Sequence, residues 1–449
     1  MKLTFLGACR MVTGSCYLLE HNQVKILIDC GMVQGGRFAE TANYEPFPFN
    51  PAEIDYLLVT HAHIDHCGRI PRLVQQGFKG EIISTYATLD FVQLMVLDSA
   101  RVIQSEARVL GKEPLYTETD VINMTKLFRG VQYERPITLN NIACTFYDAG
   151  HVLGSSFIAV NIAGKTIVFS GDLGNPPVPL LKPTHPLVAA DMLVMESTYG
   201  GKTHEPAYER KLLLCSAIYE TITMNGVLLI PAFALERTQE ILYELNQLVE
   251  RHEIPNVPVY IDSPLAIKAI TLYRKYGELF NNETKYLIAS GDDVFKFKGL
   301  TLTETKEESK RINQVRPPKI IMAGSGMMQG GRIRFHLQRY LASANNQVLI
   351  VGYQVENSLG KQLLNKADSV VIDGETVSVC AKIRAIGAYS AHADEPKLIH
   401  WLKSAPTLPK QIFLTHGELP QAEKLQSHIA QQCNNINTVI PEYRQSVEF

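Results

Sequence analysis

The apolar positions of the chain follow two patterns, and each pattern predicts its own arrangement of elements. Before about residue 60, short apolar runs are separated by glycine turns, which is typical of β-strands. Helical periodicity of apolar residues follows over 88–110, and strand-like runs return over 142–162 and 165–174. Strands that frame a helical stretch predict a layered domain with sheets inside and helices outside.

The pattern changes near residue 205, where apolar strands start to alternate with amphipathic helices. This alternation predicts βα units and a parallel sheet. After about residue 370 the earlier, strand-rich pattern returns. We therefore predict an α/β protein in which a βα domain at 205–370 is inserted into a domain formed by 1–204 and 371–449. A length of 449 residues agrees with two separate cores.

Composition and charge narrow the classes of protein further. With 43 basic and 45 acidic residues, the net charge of −2 excludes the broad basic surface that attracts nucleic acid regardless of sequence. The eight cysteines are scattered and form no C-x-x-C pair, which is typical of reduced thiols in the cytoplasm. The amino-terminal sequence starts like a strand rather than a signal peptide, and no window has the roughly 20 apolar residues of a membrane helix. We expect a cytoplasmic protein that does not bind a membrane.

Acidic and histidine side chains gather where predicted strands end. The clearest case is the sequence LLVTHAHIDHCG at 57–68, which holds three histidines and an aspartate in six consecutive positions, although the chain has only 13 histidines. If these histidines were in a polar turn by chance, similar side chains would not be expected at the ends of other strands. Four further strand ends nevertheless carry such a side chain, namely Asp29, His151, Asp172 and His416.

These side chains are sufficient to bind two metal ions and leave each ion an open coordination position for water, as catalytic sites require. Imidazole and carboxylate ligands without thiolate favour zinc, with manganese and iron as alternatives. Asp29 is expected to fix the orientation of a ligand histidine rather than to bind a metal itself. The predicted ligands are His61, His63 and His151 for one ion, Asp65, His66 and His416 for the other, and Asp172 for both.

The HAHIDH motif and its later partners resemble the metallo-β-lactamase superfamily, and the inserted βα domain narrows the resemblance to the β-CASP branch of nucleases. The resemblance extends over essentially the whole chain. It implies an αββα sandwich, with two sheets between helices and the metals at the sheet edges, together with an inserted β-CASP domain. A histidine at the position of His416 also implies an RNA-processing rather than a DNA-processing member of the branch.

The resemblance implies that two residues take part in catalysis beside the metal ligand Asp65. His392, in YSAHAD, matches the catalytic histidine of the family and is expected to give a proton or a hydrogen bond to the leaving ribose oxygen. Glu196, in LVMESTYG, matches the acidic residue that ends a strand and is expected to orient His392. The alternatives are structural roles. His392 would then cap a helix or lie in the core, and Glu196 would link a strand to a loop.

Substrate contacts are implied in the inserted domain. Ser325 and Arg332 lie in GSGMMQGGR, a glycine-rich turn between a strand and a helix, whose amides favour anions. We expect the two side chains to bind phosphate, with tight packing of the turn as the alternative. Lys361, in GYQVENSLGK, stands where many bacterial relatives have arginine, and it is also expected to contact the substrate. Lysine keeps the positive charge of arginine but cannot bind a phosphate through two parallel N–H groups.

These inferences combine into one predicted function. We predict a zinc-dependent ribonuclease, chiefly an endonuclease, that hydrolyses single-stranded RNA with metal-activated water and leaves 5′-phosphate and 3′-hydroxyl ends. A 5′–3′ exonuclease activity and a homodimer stay open. One alternative is a small-molecule hydrolase such as a thioesterase or lactonase, which would have no use for the inserted domain or for His392. Another is a subunit activated by a partner, whereas a catalytically silent scaffold would lack ligands that are all present here.

Overall fold

The computed structural model describes residues 1–35, 41–433 and 436–449. By its internal contacts the chain divides into two compact units, an outer unit and an inserted unit. The outer unit comprises Met1–Pro176, Pro183–Thr203 and His392–Phe449, and the inserted unit comprises Pro177–Lys182 and His204–Ala391.

Strands are distributed over both units and are numbered in chain order. The described strands are β1 (Lys2–Phe5), β2 (Tyr17–His21), β3 (Val24–Ile28), β4 (Tyr56–Leu58), β5 (Glu81–Thr85), β6 (Phe128–Val131), β7 (Ile137–Leu139), β8 (Ile142–Asp148), β9 (Ser156–Ile162), β10 (Lys165–Phe169), β11 (Met192–Glu196), β12 (Val227–Pro231), β13 (Val259–Asp262), β14 (Leu300–Leu302), β15 (Lys319–Ala323), β16 (Gln347–Ile350), β17 (Ser369–Ile372), β18 (Glu375–Ser378), β19 (Lys382–Ala385), β20 (Gln411–Thr415), β21 (Asn437–Val439) and β22 (Ser446–Glu448).

Helices connect these strands, and three short 3-10 turns at Pro51–Glu53, Gly277–Leu279 and Gly387–Tyr389 supplement them. None of the helices in the described ranges has both the length and the apolar content needed to cross a membrane. The described α-helices are α1 (Ile64–Cys67), α2 (Ile70–Gln75), α3 (Tyr86–Leu110), α4 (Glu118–Thr125), α5 (Ala207–Thr223), α6 (Arg237–Glu250), α7 (Pro264–Lys275), α8 (Asn282–Ala289), α9 (Lys306–Ile312), α10 (Ile333–Tyr340), α11 (Leu359–Leu364), α12 (Glu395–Lys403) and α13 (Leu419–Gln432).

Two sheets form the outer unit, and each contains a run of parallel strands. In the described ranges, the first sheet has the order β22–β1–β2–β3–β4–β5–β6, with β3 to β6 parallel. The second sheet has the order β21–β20–β11–β10–β9–β8–β7, with β10, β11, β20 and β21 parallel. Because parallel neighbours end at the same edge of a sheet, the segments after β3 and β4 start together, as do those after β10, β11 and β20.

The main core of the outer unit lies between its two sheets. Alternate residues of both sheets point into it, among them Phe5, Ile28, Leu58, Phe169 and Phe413, which are all almost completely buried. A further apolar cluster joins the second sheet to α12 and α13, while α3 packs against β5 and β6 of the first sheet. The layers are therefore helix, sheet, sheet and helix, which confirms the predicted αββα sandwich.

The inserted unit is built around a parallel sheet. Its described strands have the order β14–β13–β15–β12–β16–β19, and every adjacent pair is parallel. All residues of β12, β15 and β16 are buried, as expected of a sheet that helices cover on both faces. The predicted βα units are thus present.

The second domain boundary differs from the predicted limit at 371. Strand β19 pairs in parallel with β16 of the inserted sheet, and the β17–β18 hairpin adds buried aliphatic side chains to the inserted core. The chain joins the outer unit again only at His392, whereas the first boundary, after Thr203, lies next to the predicted one. The strand pattern after residue 370 could not reveal this, because alternation shows which face of a strand is buried and not which sheet the strand joins.

Candidate metal centre

The HAHIDH sequence leaves β4 at a sheet edge and turns into the short helix α1. His63 precedes this helix as its N-cap residue, and His66 lies in its last turn. The segment after β3 passes close by, and the amide of Cys30 donates a hydrogen bond of 2.8 Å to the carbonyl oxygen of His66. This approach requires glycine at Gly31, because a Cβ there would lie 1.6 Å from the carbonyl oxygen of Asp65.

Three histidines and Asp172 form a first group able to hold a metal ion, with ligand atoms that all lie within 4.8 Å of one another. His63 Nδ1 lies 3.2 Å from Nε2 of His61 and 3.1 Å from Nε2 of His151. Asp172 Oδ2 lies 3.4 Å and 3.5 Å from the same two Nε2 atoms. Burial lowers the pKa of all three histidines, that of His63 to about 3, so their rings are neutral, which is the form that binds a metal.

A second group joins α1 to the residue that follows β20. Its ligand atoms, from Asp65, His66 and His416, again lie within 4.8 Å of one another. His416 Nε2 is 3.3 Å from Asp65 Oδ2. The φ angle of His416 is +48°, in the left-handed region that few non-glycine residues adopt, and its amide donates a 2.8 Å hydrogen bond to the carbonyl oxygen of Ala8. The chain therefore turns sharply after β20, at the point where the ring reaches the centre.

Asp172 connects the two groups. Its carboxylate is 1% exposed, with Oδ2 near the first group and Oδ1 3.3 Å from Nε2 of His66. Burial opposes ionisation, but the charges of His416 and His66 hold the pKa of Asp172 well below its usual value. Its Oδ1 nevertheless has no hydrogen-bond partner among the described residues, and leaving a buried acceptor in that state costs roughly 1–3 kcal/mol. An ionised carboxylate with an unsatisfied oxygen, surrounded by imidazole nitrogens, fits a divalent metal ion.

Asp29 lies against His66, the ligand histidine closest to it. Its Oδ2 accepts a hydrogen bond of 2.7 Å from His66 Nδ1, and Thr60 donates to both carboxylate oxygens, each at 2.8 Å. Asp29 therefore holds the ring of His66 with Nε2 directed to Asp172. Burial opposes protonation of His66, but Asp172 and Asp29 raise its pKa well above its usual value. The electrostatics thus favour a positive charge between His66 and Asp172.

Glu196, which is buried, and His392, which is partly buried, form a pair beside the ligands. Glu196 is 1% exposed at the end of β11, where Oε2 accepts from His392 Nδ1 at 3.1 Å and Oε1 accepts from the amide of Leu173 at 2.6 Å. The ring of His392 is centred 4.7 Å from that of His151. Burial opposes protonation of His392, but Glu196 and Asp172 raise its pKa to about 9. The two carboxylates thus favour the protonated ring of His392, which lies close to His151 and His416.

The structure also identifies a threonine that the sequence analysis missed. Thr198 Oγ1 donates to the carbonyl oxygen of His416 at 2.9 Å and lies 3.0 Å from His416 Nδ1, so that it accepts the proton of this ring nitrogen. The other ring nitrogen then faces Asp65. Strand pairing explains the contact, because Glu196 and Thr415 are partners in the β11–β20 register. The sequence shows Thr198 two residues after Glu196, but it does not show that β20 is the neighbouring strand.

The three predicted substrate-binding residues lie in the inserted unit. Ser325 Oγ, in the turn after β15, donates to the carbonyl oxygen of Gly330 at 3.3 Å and accepts from its amide at 3.2 Å. Lys361 Nζ lies 2.6 Å from Glu356. Arg332 is committed elsewhere in the unit, because its guanidinium donates to Asp262 at 2.7 Å and to two backbone carbonyl oxygens. Whether Arg332 also binds phosphate stays a prediction.

Three family descriptions match successive parts of the chain. The metallo-beta-lactamase superfamily matches residues 10–199, and the Beta-Casp domain matches residues 238–363. A Zn-dependent metallo-hydrolase RNA specificity domain matches residues 376–441. The first match falls mostly in the outer unit, the second lies within the inserted unit, and the third begins in the inserted unit and continues into the outer unit.

Several curated proteins are similar over nearly the whole chain. A ribonuclease from Thermus thermophilus is 36% identical over 418 residues, which cover 93% of this chain and 93% of that protein. A transcription termination factor from Methanosarcina mazei is 30% identical over 93% of this chain and 67% of its own length. Subunit 3 of the cleavage and polyadenylation specificity factor from Dictyostelium discoideum is 28% identical over 100% of this chain, which spans 57% of that subunit. Among solved structures, a protein of unknown function from Enterococcus faecalis has a TM-score of 0.54 at 11% identity over 99% of both chains, which shows the fold alone.

Proposed function

The chain belongs to the β-CASP branch of the metallo-β-lactamase superfamily, and from this membership we propose that it is a zinc-dependent ribonuclease that hydrolyses single-stranded RNA. The observation that carries the proposal is the convergence of two ligand groups on Asp172, with the Glu196–His392 pair beside them. Similarity to the Thermus ribonuclease over most of both chains and the match to an RNA specificity domain support RNA as the substrate.

Two zinc ions are proposed as cofactors, with manganese and iron as alternatives. When bound, such ions supply a water of lowered pKa and neutralise charge on the phosphate that reacts. Asp172 would be shared by both, since its two oxygens face different groups. The proposed ligands are His61, His63 and His151 for one ion and Asp65, His66 and His416 for the other.

His392 is proposed to donate the proton that the leaving group needs. Glu196 holds Nδ1 of His392, and Nε2 is proposed to donate to the leaving 3′-oxygen of the ribose. Hydrolysis would then leave 5′-phosphate and 3′-hydroxyl ends. Asp65 is proposed to accept a hydrogen bond from the attacking water in addition to its role as a ligand.

Other parts of the proposal concern substrate contacts, assembly and location. Ser325, Arg332 and Lys361 are proposed to contact the RNA backbone, and Arg332 also binds Asp262. Endonucleolytic rather than 5′–3′ exonucleolytic cleavage is proposed, and circular RNA, which offers no end, would distinguish the two. A homodimer and a cytoplasmic location stay predictions, for light scattering and for microscopy of a tagged chain to test.

Incubation of the purified protein with 5′-labelled single-stranded RNA tests the function directly. We expect cleavage that stops on addition of a chelator and returns on readdition of zinc, and end-group analysis should find 5′-phosphate on the downstream products. If protein shown to hold two metal ions leaves the RNA intact, the ribonuclease proposal is wrong. Hydrolysis of a thioester or lactone by the same sample would then favour the small-molecule alternative.

A further inference from the structure

A buried ionic cluster lies in the inserted unit, away from the metal ligands in sequence. We refer to Arg210, Glu244 and Tyr389 as the tyrosine cluster. Arg210 Nε donates to Glu244 at 2.7 Å, and the hydroxyl of Tyr389 donates to the other oxygen of the same carboxylate. The guanidinium carbon of Arg210 also lies 5.5 Å from the centre of the Tyr389 ring. All three residues are less than 9% exposed, so the cluster is part of the interior.

Contacts of this cluster fall on segments where the chain passes from one unit to the other. Arg210 Nη1 donates to the carbonyl oxygen of Pro177, the first residue of the inserted unit. Glu205, just after the next entry into that unit, accepts a 2.8 Å hydrogen bond from the amide of Ala388. Tyr389 lies three residues before His392, the point of final exit. The chain ends that lead out of the inserted unit are therefore fastened to α5 and α6.

His392 and its neighbour Ala393 are also held by contacts within the outer unit. The amide of Ala393 donates to the carbonyl oxygen of Leu173 at 2.8 Å, and His392 forms a β-bridge with Gly174. Only Ser390 and Ala391 separate this anchored stretch from Tyr389. Three Cα–Cα steps separate Tyr389 from His392 and span at most about 11 Å, which limits the freedom between the two anchors.

We propose that the tyrosine cluster positions His392, and that the hydroxyl of Tyr389 is the atom that fastens the segment presenting this histidine. Tyr389 is a positioning residue, since it acts through His392, and the inference rests on the proposed role of that histidine as proton donor. Burial and the charge of Glu244 raise the pKa of Tyr389 well above its usual value, so the hydroxyl keeps its proton and can donate. Removing the hydroxyl breaks the hydrogen bond to Glu244 and weakens the attachment of the segment, to which the bond between Ala388 and Glu205 still contributes.

The chain offers a matched pair of variants for the test. Tyr389→Phe removes only the hydroxyl. Tyr273→Phe is the control, because Tyr273 is also fully buried and its hydroxyl donates to Glu236, which precedes α6 in the same unit. Both variants lose one buried hydrogen bond from tyrosine to glutamate, but only Tyr389 is tethered to His392. We expect Tyr389→Phe to lower kcat on RNA about tenfold with unchanged KM and metal content, and Tyr273→Phe to leave kcat unchanged.

A second substrate separates positioning from general damage. The nitrophenolate of a p-nitrophenyl phosphodiester departs without a proton, so Tyr389→Phe should hydrolyse this ester at the wild-type rate. In a His392→Ala background, Tyr389→Phe should cause no additional loss on RNA, since its effect passes through the histidine. Equal losses on both substrates, or an additive loss in the double variant, would overturn the inference.

Hydrogen exchange keeps the inference separate from the proposed function, because it needs no substrate. The amides of 390–393 should exchange faster in Tyr389→Phe than in Tyr273→Phe or the wild type. Unchanged exchange at these amides would refute the fastening of His392, whatever the activity. If the wild type leaves RNA intact but the amides exchange faster in Tyr389→Phe, the ribonuclease proposal is wrong. The proposal that Tyr389 holds the segment of His392 is then still supported.

Discussion

Asp172 and His392 have different environments although both lie among the same histidines. The Asp172 carboxylate is almost fully buried, and its Oδ1 lacks a hydrogen bond in the described part of the chain. His392 is 14% exposed and has its Nδ1 on Glu196. An acceptor without a donor suits a metal ligand, whereas a partly exposed ring that a carboxylate orients through Nδ1 suits proton transfer.

Substitution of these two residues should separate metal binding from turnover. Asp172→Ala should lose metal, because both ligand groups contain or face its carboxylate. His392→Ala should keep its metal and lose turnover on RNA by roughly 10²–10⁴-fold, the usual contribution of a general acid. Elemental analysis of both purified variants, beside the wild type, measures the first effect and RNA cleavage the second. Equal loss of metal from the two variants would contradict this division of roles.

The elements show which parts of the fold the sequence could predict. An apolar run that ends in histidine or aspartate is a local pattern, so the ends of β4, β10 and β20 could be recognised without knowing their neighbours. Strand pairing is not local, and it decides that Thr198 lies beside His416 and that β19 belongs to the inserted sheet. Arg332 shows the same limit, because the carboxylate that it binds lies 70 residues earlier in the chain, at the end of β13.

The end of β13 also predicts a dependence of stability on pH. Asp262 is fully buried there, and burial opposes its ionisation. Hydrogen bonds nevertheless lower its pKa from 3.8 to about 2. The pKa of Asp262 is lower in the folded state than in the unfolded state, so the ionised carboxylate stabilises the fold. This stabilisation is complete above pH 3.8 and disappears as the pH falls through about 2. The donors are His336, Ser309, Arg332 and Thr303.

Urea unfolding of Asp262→Asn tests this interpretation. Between about pH 5 and about pH 3, the wild type should lose about 1 kcal/mol more of its free energy of unfolding than the variant, after allowance for solvent screening. Asp293→Asn is the control, since this aspartate is exposed and pairs with Arg274 at the surface of the same unit. If Asp262→Asn and Asp293→Asn respond equally to pH, the hydrogen bonds at β13 do not have this effect.

At the scale of the whole molecule, the two units can be observed separately. Trp401 is the only tryptophan of the chain, and it lies in the outer unit. Its Nε1 donates to the carbonyl oxygen of His185 at 2.9 Å, and its ring meets that of Phe157 edge to face. Tryptophan fluorescence therefore reports on the outer unit, while far-UV circular dichroism reports on both.

Removal of metal should destabilise the outer unit alone, because all the proposed ligands belong to it. A ligand that binds only the folded state at 100 times its Kd stabilises that state by about 2.7 kcal/mol. In thermal unfolding, a chelator should therefore lower the midpoint of the fluorescence transition by several degrees, whereas a circular dichroism transition of the inserted unit should stay in place. A shift of the same size in both signals would show that metal stabilises more than the outer unit.

The position of His416 after β20 has a consequence for biosynthesis. Synthesis of the first 391 residues produces HAHIDH, His151, Asp172 and the whole inserted unit, but neither His392 nor the strand that carries His416. Strand β20 lies between β11 and β21 in the second sheet, so that sheet is also incomplete until β20 and β21 have left the ribosome. A product that stalls at residue 391 thus lacks both the proposed proton donor and a proposed metal ligand, and the order of the chain delays nuclease activity until His416 has been synthesised.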